Sequence, residues 1–361
     1  MLYTFNDAWV AWLSGEKFPI AFFGDSTYDG NTTTGWVQNK LGIESVSPAA
    51  FSKKLEVLLR DASNNSILRI YNAGFSGTVM DENDTRLIGE FAGTAPYSDA
   101  KMIGIGFGIN DRLMYPDAKA FKEGFKAKTE FVINWCYENG KQPFLLTTQA
   151  VVNCGVRTEY IGMYPMRTSE YISSISNEVK RELAHKYGLE LIDLNKYTED
   201  YLLYSQSSAN EIISDHTHFS SAGHLYEAGL LFSRICPRTI IAESRTKIDY
   251  SRQKVTECVP EDWLTLPEAP VNEFKVYVDC RKDDSKDLKI MNAWVFVNSR
   301  APMTLKAYKN KSAAVYIKVN GEKMKLSAAE TTLGKLDMGL YKLEVFTGKT
   351  KAVDFQGFVL E

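Results

Sequence analysis

An excess of either charge is lacking in this chain of 361 residues: 42 lysines and arginines face 45 aspartates and glutamates, a formal net charge of −3. No electrostatic footprint for nucleic acid or an anionic membrane results, and a neutral or weakly charged substrate fits better. Cysteine is also scarce. Cys136, Cys154, Cys236, Cys258 and Cys280 are odd in number and show no C-x-x-C spacing, which argues against a disulfide framework or zinc knuckle and for isolated buried thiols. No apolar run is long enough to span a bilayer. Residues 1–7 lack the basic stretch and apolar core of a signal peptide. The expectation is a soluble chain, cytoplasmic by default, with an extracellular or virion-associated place open through an export route that uses no cleaved signal. Internal repeats and low-complexity segments are absent.

What is present begins with length enough for two domains. Between residues 18 and 240, short apolar runs alternate with amphipathic stretches, the pattern of an α/β domain with a mainly parallel sheet. The expected strands are 18–23, 67–72, 101–107, 143–148 and 189–194. The expected helices are 48–61, 116–138, 168–187 and 220–236, with Pro48 and Pro116 marking two starts. A polar, proline-bearing stretch with Pro260, Pro267 and Pro270 follows. From residue 273 the texture changes to period-two segments such as 274–278 and 315–319, the latter followed by the hairpin signal Asn320-Gly321. The expected division is a first domain over 1–240, a linker over 241–270 and an all-β, sandwich-like module over 271–361. Residues 271–361 carry 16 basic against 11 acidic side chains, a mild asymmetry.

Ligands of open α/β sheets bind outside the carboxyl ends of the strands, and the polar motifs fall at such ends. Gly24-Asp25-Ser26-Thr27 follows the first strand, Asn72-Ala73-Gly74-Phe75-Ser76-Gly77 closes the second, and Gly108-Ile109-Asn110-Asp111 follows the third. Nearly two hundred residues after Ser26 comes Asp215-His216-Thr217-His218. Acyl transfer needs a nucleophile, a base, an acid that orients the base, and donors for an oxyanion. Ser26, His218 and Asp215 are candidates for the first three. The N–H groups of Ser26 and Gly77 and the Asn110 amide are candidates for the donors, glycine at 77 letting the main chain approach a substrate.

Each residue has a plainer reading. Ser26 alone reads equally well as a helix N-cap, Gly74 as a turn glycine, and Asp111 as a loop anchor. His216, His218 and His224 cluster within nine residues, but the expected helix beside them and the lack of a second ligand cluster argue against a metal. Four residues are candidate substrate contacts: Asp25 beside the nucleophile, Trp36 on the loop after it, and Asn153 and Tyr160 on the long loop 149–165. Core packing is the alternative for Trp36, and an ordinary surface excursion for the loop.

The four fragments, in this order, resemble the SGNH (GDSL-like) hydrolase family, whose blocks are named for Ser, Gly, Asn and His. The resemblance spans about residues 18–236. It implies a flavodoxin-like three-layer sandwich, hydrolysis of an ester by a Ser-His-Asp triad through an acyl-enzyme, and no metal or organic cofactor. The family includes lipases, thioesterases and carbohydrate deacetylases, so the implied substrate is an acylated small molecule or polysaccharide. The Gly24-Asp25-Ser26-Thr27 form resembles the carbohydrate O-acetylesterase branch. Two other readings stay open: a lipid or thioester hydrolase of the same fold, and a glycan- or surface-binding component, such as a phage tail or cell-surface protein, docked through its β module.

Overall fold

The computed structural model describes residues 2–38, 43–44, 47–80, 83–111, 114–150, 169–204, 211–215, 217–236, 239–242, 246–249, 263–265, 277–279, 288–297, 302–309, 314–337, 339–347 and 355–361. The chain divides into two compact units, Met1–Leu202 with Ser207–Phe232, and Leu203–Gln206 with Ser233–Glu361.

In the first unit the apolar runs become the parallel strands β1 (Ile20–Gly24), β2 (Ile70–Gly74), β3 (Met102–Gly106), β4 (Gln142–Leu146) and β5 (Leu191–Ile192), ordered β2-β1-β3-β4-β5. This is the flavodoxin-like order, with its switch point between β1 and β3. The strands lack polar alternation because both faces are covered. On one face Phe22 packs edge-on against Phe51 of α3 (Phe51–Ser63) at 4.9 Å, and Phe5 of α1 (Phe5–Leu13) against Phe144 of β4 at 5.1 Å. On the other, Ala21 and Phe23 share a core with Phe125 of α5 (Ala118–Glu138) and Leu183 of α6 (Ser169–Tyr187). Further helices among the described residues are α4 (Asn83–Phe91), α7 (Leu194–Tyr204) and α8 (Ser221–Ile235).

The sequence reading missed α1, α4 and α7, and also α2 (Ser26–Asp29), a single turn too short for periodicity to show. Pro48 lies in the turn before α3, whose N-cap is Ala50; α5 is capped by Asp117, whose carboxylate accepts the Ala120 N–H.

At the carboxyl edge, Gly74, Gly24 and Gly106 stand side by side in register across β2, β1 and β3. The turn α2 lies on this row. A Cβ on Gly24 would come within 2.5 Å of the Tyr28 ring, one on Gly106 would overlap the Tyr28 hydroxyl, and one on Gly74 would overlap the backbone of Tyr28 and Asp29. Gly74 is therefore the end of a strand pressed by backbone, not only a turn residue.

The second unit contains β6 (Thr239–Ala242), β7 (Thr246–Asp249), β8 (Trp263–Thr265), β9 (Tyr277–Asp279), β10 (Leu288–Val297), β11 (Met303–Lys309), β12 (Val315–Val319), β13 (Glu322–Lys325), β14 (Glu330–Leu336), β15 (Gly339–Thr347) and β16 (Phe355–Leu360). Two sheets, β13-β12-β15-β10-β6 and β14-β11-β16-β7, share one core in which Val295, Ile317 and Val345 of the first meet Leu305, Phe358 and Leu360 of the second. Strands β8 and β9 pair separately. The expected turn at Asn320-Gly321 joins β12 to β13, both residues at positive φ (48° and 91°) as a type I′ hairpin demands.

The expected linker is corrected in its first part. Residues 239–242 pair with β10, in parallel, and residues 246–249 pair with β16, so the β unit recruits chain from before residue 250 and is not purely antiparallel. Such pairing joins segments tens of residues apart, beyond what local patterning reports.

His224, on α8, joins two helices. Its ring stacks on Phe51 with centroids 5.9 Å apart, and its Nδ1 accepts the Phe51 N–H at 3.2 Å, at a helix start where Ala50 offers no side-chain cap. Burial pulls its pKa down to about 3, and a protonated His218 adds to that shift. Burial also pushes the Glu227 carboxyl, 3.6 Å away, well up. Burial thus favours the uncharged form of each member of this pair.

Two outcomes are expected. Gly74→Ala, which must lift the α2 backbone, lowers stability by about 1–3 kcal/mol in urea unfolding. Between pH 6.5 and about 3 the unfolded chain protonates residue 224 while the folded chain does not, so acid removes stability through this window. His224→Gln keeps an acceptor but cannot titrate, and its melting temperature falls less steeply than that of the unsubstituted chain from pH 7 to pH 4.

Candidate active site

The buried strand β1 delivers Ser26 as the first residue of α2, with only 6% of its surface exposed. Asp25 caps the turn: its Oδ1 accepts the Thr27 N–H and the Thr27 hydroxyl, each at 2.9 Å. Asp25 is fully buried and so does not present its carboxylate to substrate; its expected part as a substrate contact is replaced by that of a cap under the serine. The plainer reading of Ser26 as N-cap also gives way, because the cap is the residue before it.

The loop before α8 folds back on itself. Ile213 bridges Phe219, and the Ser214 N–H donates to the His218 carbonyl at 2.9 Å. This turn aims the His218 ring at β1. His218 Nε2 lies 2.9 Å from Ser26 Oγ, and His218 Nδ1 lies 2.7 Å from Asp215 Oδ2. Asp215 Oδ1 accepts the N–H groups of Thr217 (2.6 Å) and His218 (2.7 Å). Partial burial works against the Asp215 charge, but these bonds, led by that from the imidazole, hold its carboxyl well below the usual range. An ionised carboxylate only accepts, so the imidazole proton sits on Nδ1 and the Nε2 lone pair faces the serine hydroxyl. Such a chain can take a proton from Ser26 and stabilise the resulting imidazolium.

Gly77, at φ +84°, lies in the turn after β2, where an added Cβ would meet nothing within 4 Å; main chain is open to an approaching group there. Among the described residues, neither the Ser26 nor the Gly77 N–H is spent on an acceptor. The Asn110 amide donates one hydrogen to the Thr78 carbonyl at 3.1 Å, which ties the loop after β3 to the Gly77 turn and leaves a second hydrogen. Asp111 anchors the same loop, its Oδ1 accepting the Met80 N–H at 2.8 Å.

Near these groups lies a buried titratable set, Asp25, Asp111 and Lys180. Burial pushes Asp111 up to about 7, and the Asp25 charge adds to that shift. Asp25 is raised chiefly by burial, against its bonds from Thr27 and the charges of Lys180 and His218. Lys180 of α6, fully buried with Nζ 3.4 Å from the Thr148 hydroxyl, is pulled down to about 8 by burial while both aspartates oppose the shift.

Trp36 is half-buried, its Nε1 donating to Asp29 Oδ1 at 3.1 Å. Asp29 Oδ2 accepts the Ser76 hydroxyl at 2.5 Å, so Trp36 is tied to the turn that carries Gly77. Asn153, Tyr160 and the rest of 151–168, like His216, lie outside the described residues. Two cross-loop ties escaped the sequence reading: Asp29, and Thr32, whose hydroxyl bonds Ser214 Oγ and the Phe219 carbonyl (3.2 Å). Nothing local marked them, since both are polar residues of ordinary type, Asp29 at the end of α2 and Thr32 on the loop after it.

Residues 20–228 match the GDSL-like lipase/acylhydrolase family. A comparison with curated proteins gives no significant match. Among solved structures, the chain is similar to an acetyl xylan esterase from Geobacillus stearothermophilus (17% identity, 61% of this chain and 94% of that one, TM-score 0.45). It is also similar to a two-domain esterase active on acetylated mannans (14% identity, 99% and 94%, TM-score 0.45) and to a lipase/acylhydrolase from Enterococcus faecalis (22% identity, 59% and 93%, TM-score 0.42). With its match running from the first residue of β1 to within α8, and all four sequence blocks inside it, the chain belongs to the GDSL-like lipase/acylhydrolase family.

Proposed function

We propose that the protein is a serine esterase that removes short acyl groups, acetyl foremost, from a carbohydrate. The observation that carries this reading is the unbroken chain from Ser26 Oγ through both ring nitrogens of His218 to the Asp215 carboxylate. In this mechanism Ser26 Oγ attacks the ester carbonyl carbon as His218 Nε2 takes its proton. The negative oxygen of the tetrahedral intermediate is met by the N–H groups of Ser26 and Gly77 and the free hydrogen of the Asn110 amide. Collapse breaks the C–O bond to the sugar, whose oxygen leaves with the proton from His218. Water then repeats the sequence on the acyl-enzyme, returning Ser26 and releasing the acid. Asp215 holds the ring in the productive tautomer throughout.

The short acyl group and the sugar are supported by the Gly24-Asp25-Ser26-Thr27 form of the first block. Trp36, tied through Asp29 to the Gly77 turn, is the candidate for contact with the sugar.

An organophosphonate is expected to add its mass to Ser26, and Ser26→Ala to lose turnover while melting like the parent. Replacing His218 by alanine costs roughly 10⁶-fold in kcat and replacing Asp215 roughly 10⁴-fold, since a poorly oriented base still works. On p-nitrophenyl esters the rate is highest for acetyl and falls toward octanoyl; rates that climb with chain length would sink the acetylesterase reading in favour of a lipid or thioester hydrolase.

A further inference from the structure

Arg86 on α4 is 3% exposed, and its guanidinium spends all five N–H donors. Nη1 donates to the Gly24 carbonyl and the Thr78 hydroxyl, each at 3.1 Å; Nη2 donates to the Ala73 carbonyl at 2.7 Å and to Glu90 Oε2 at 3.0 Å; Nε donates to Glu90 Oε1 at 2.8 Å. Its plane lies over the Phe23 ring, 4.5 Å from the centroid. The partners belong to the parts of the site that must be held together. Gly24 ends β1 two residues before Ser26, Ala73 lies at the end of β2, and Thr78 follows Gly77.

The bonds continue outward from Arg86. The Gly24 carbonyl also accepts the Phe75 N–H at 3.1 Å, and the Thr78 hydroxyl donates to the Phe75 carbonyl at 2.8 Å, so the guanidinium closes the 75–78 turn from beneath. The Thr78 carbonyl then accepts the Asn110 amide. A buried ion pair is a poor stabiliser compared with apolar side chains of the same volume, so stability does not account for five bonds of fixed direction. A planar fork, held by Glu90, that sets the Gly24 and Ala73 carbonyls and the Thr78 hydroxyl at fixed mutual angles does, and a lysine ammonium cannot reproduce it.

We propose that Arg86 is a positioning residue for acyl transfer: it holds the Gly77 turn and, through the Thr78 carbonyl, the Asn110 amide in register with Ser26, and so sets the oxyanion donors without touching substrate. This rests on the roles given above to Ser26, Gly77 and Asn110.

The test compares the full chain with Arg86→Lys and Thr78→Val by kcat and KM on an acetyl ester, by inhibition with a boronic acid that forms a tetrahedral adduct on Ser26, and by melting temperature. In both variants kcat falls roughly 10- to 100-fold, less than the 10²- to 10³-fold typical of losing an oxyanion donor itself. KM stays within about threefold, and the boronic acid weakens by the factor lost in kcat/KM. A lower melting temperature with unchanged kcat per folded molecule assigns Arg86 to stability alone and overturns the proposal. If Arg86→Lys does not fold, Thr78→Val decides by the same readouts. Turnover that survives Ser26→Ala overturns the triad and this proposal together, whereas a labelled Ser26 with parental kcat in Thr78→Val overturns the role of Arg86 alone.

Discussion

The close seat of one helical turn on three strand ends is the constraint on which the site depends. Gly74, Gly24 and Gly106 form a row without side chains, and the Ser26–Asp29 turn descends onto it until the Tyr28 ring and the Asp29 backbone fill the space that three Cβ atoms would take. The height of Ser26 above the sheet is set by that contact. A hydrogen bond to a base tolerates only a few tenths of an ångström, so the 2.9 Å between Ser26 and His218 exists because the floor is flat.

Loops that reach the same edge are joined by side chains where no ladder joins their backbones. Asp29 ties the nucleophile turn to Ser76 and Trp36, Asp111 ties the loop after β3 to Met80, Asn110 reaches Thr78, and Thr32 reaches the histidine loop. Thr32 does so at φ +71°, a left-handed conformation that a β-branched residue adopts only when its surroundings over-determine it. Acids serve as the knots because one carboxylate can accept from several directions at once. The physical consequence is visible in Asp25, Asp29 and Asp111, all pushed toward the neutral form by burial.

Much of this was legible before any coordinates. Strands with both faces covered announce themselves as unbroken apolar runs, and all five fall where expected, with bounds that differ by up to three residues. The motif residues were legible because strand ends bring their loops to one edge. Less legible was anything whose meaning depends on a distant partner. Asp25 has the same sequence context whether it faces substrate or caps a turn. Residues 239–249 look like a link until sheet edges supply their partners. Arg86 and Glu90 are spaced as an ordinary i, i+4 surface pair, and only the packing of α4 over the strand ends turns that pair inward.

The amino-acid sequence by itself determined the layered α/β class, the β texture of the C-terminal part, the hairpin at Asn320-Gly321, and the choice of Ser26, Gly77, Asn110, Asp215 and His218 as candidates for the chemistry. These rest on periodicity, on turn stereochemistry and on residue type, all of which act over a few neighbours. Tertiary structure alone decided the distances that join Ser26 to His218 across 192 positions, the inward turn of Arg86, the burial of His224 against Phe51, and the assignment of β6 and β7 to the second unit. Each of these depends on burial or on a contact between segments far apart in the chain, and neither exists until the layers have packed.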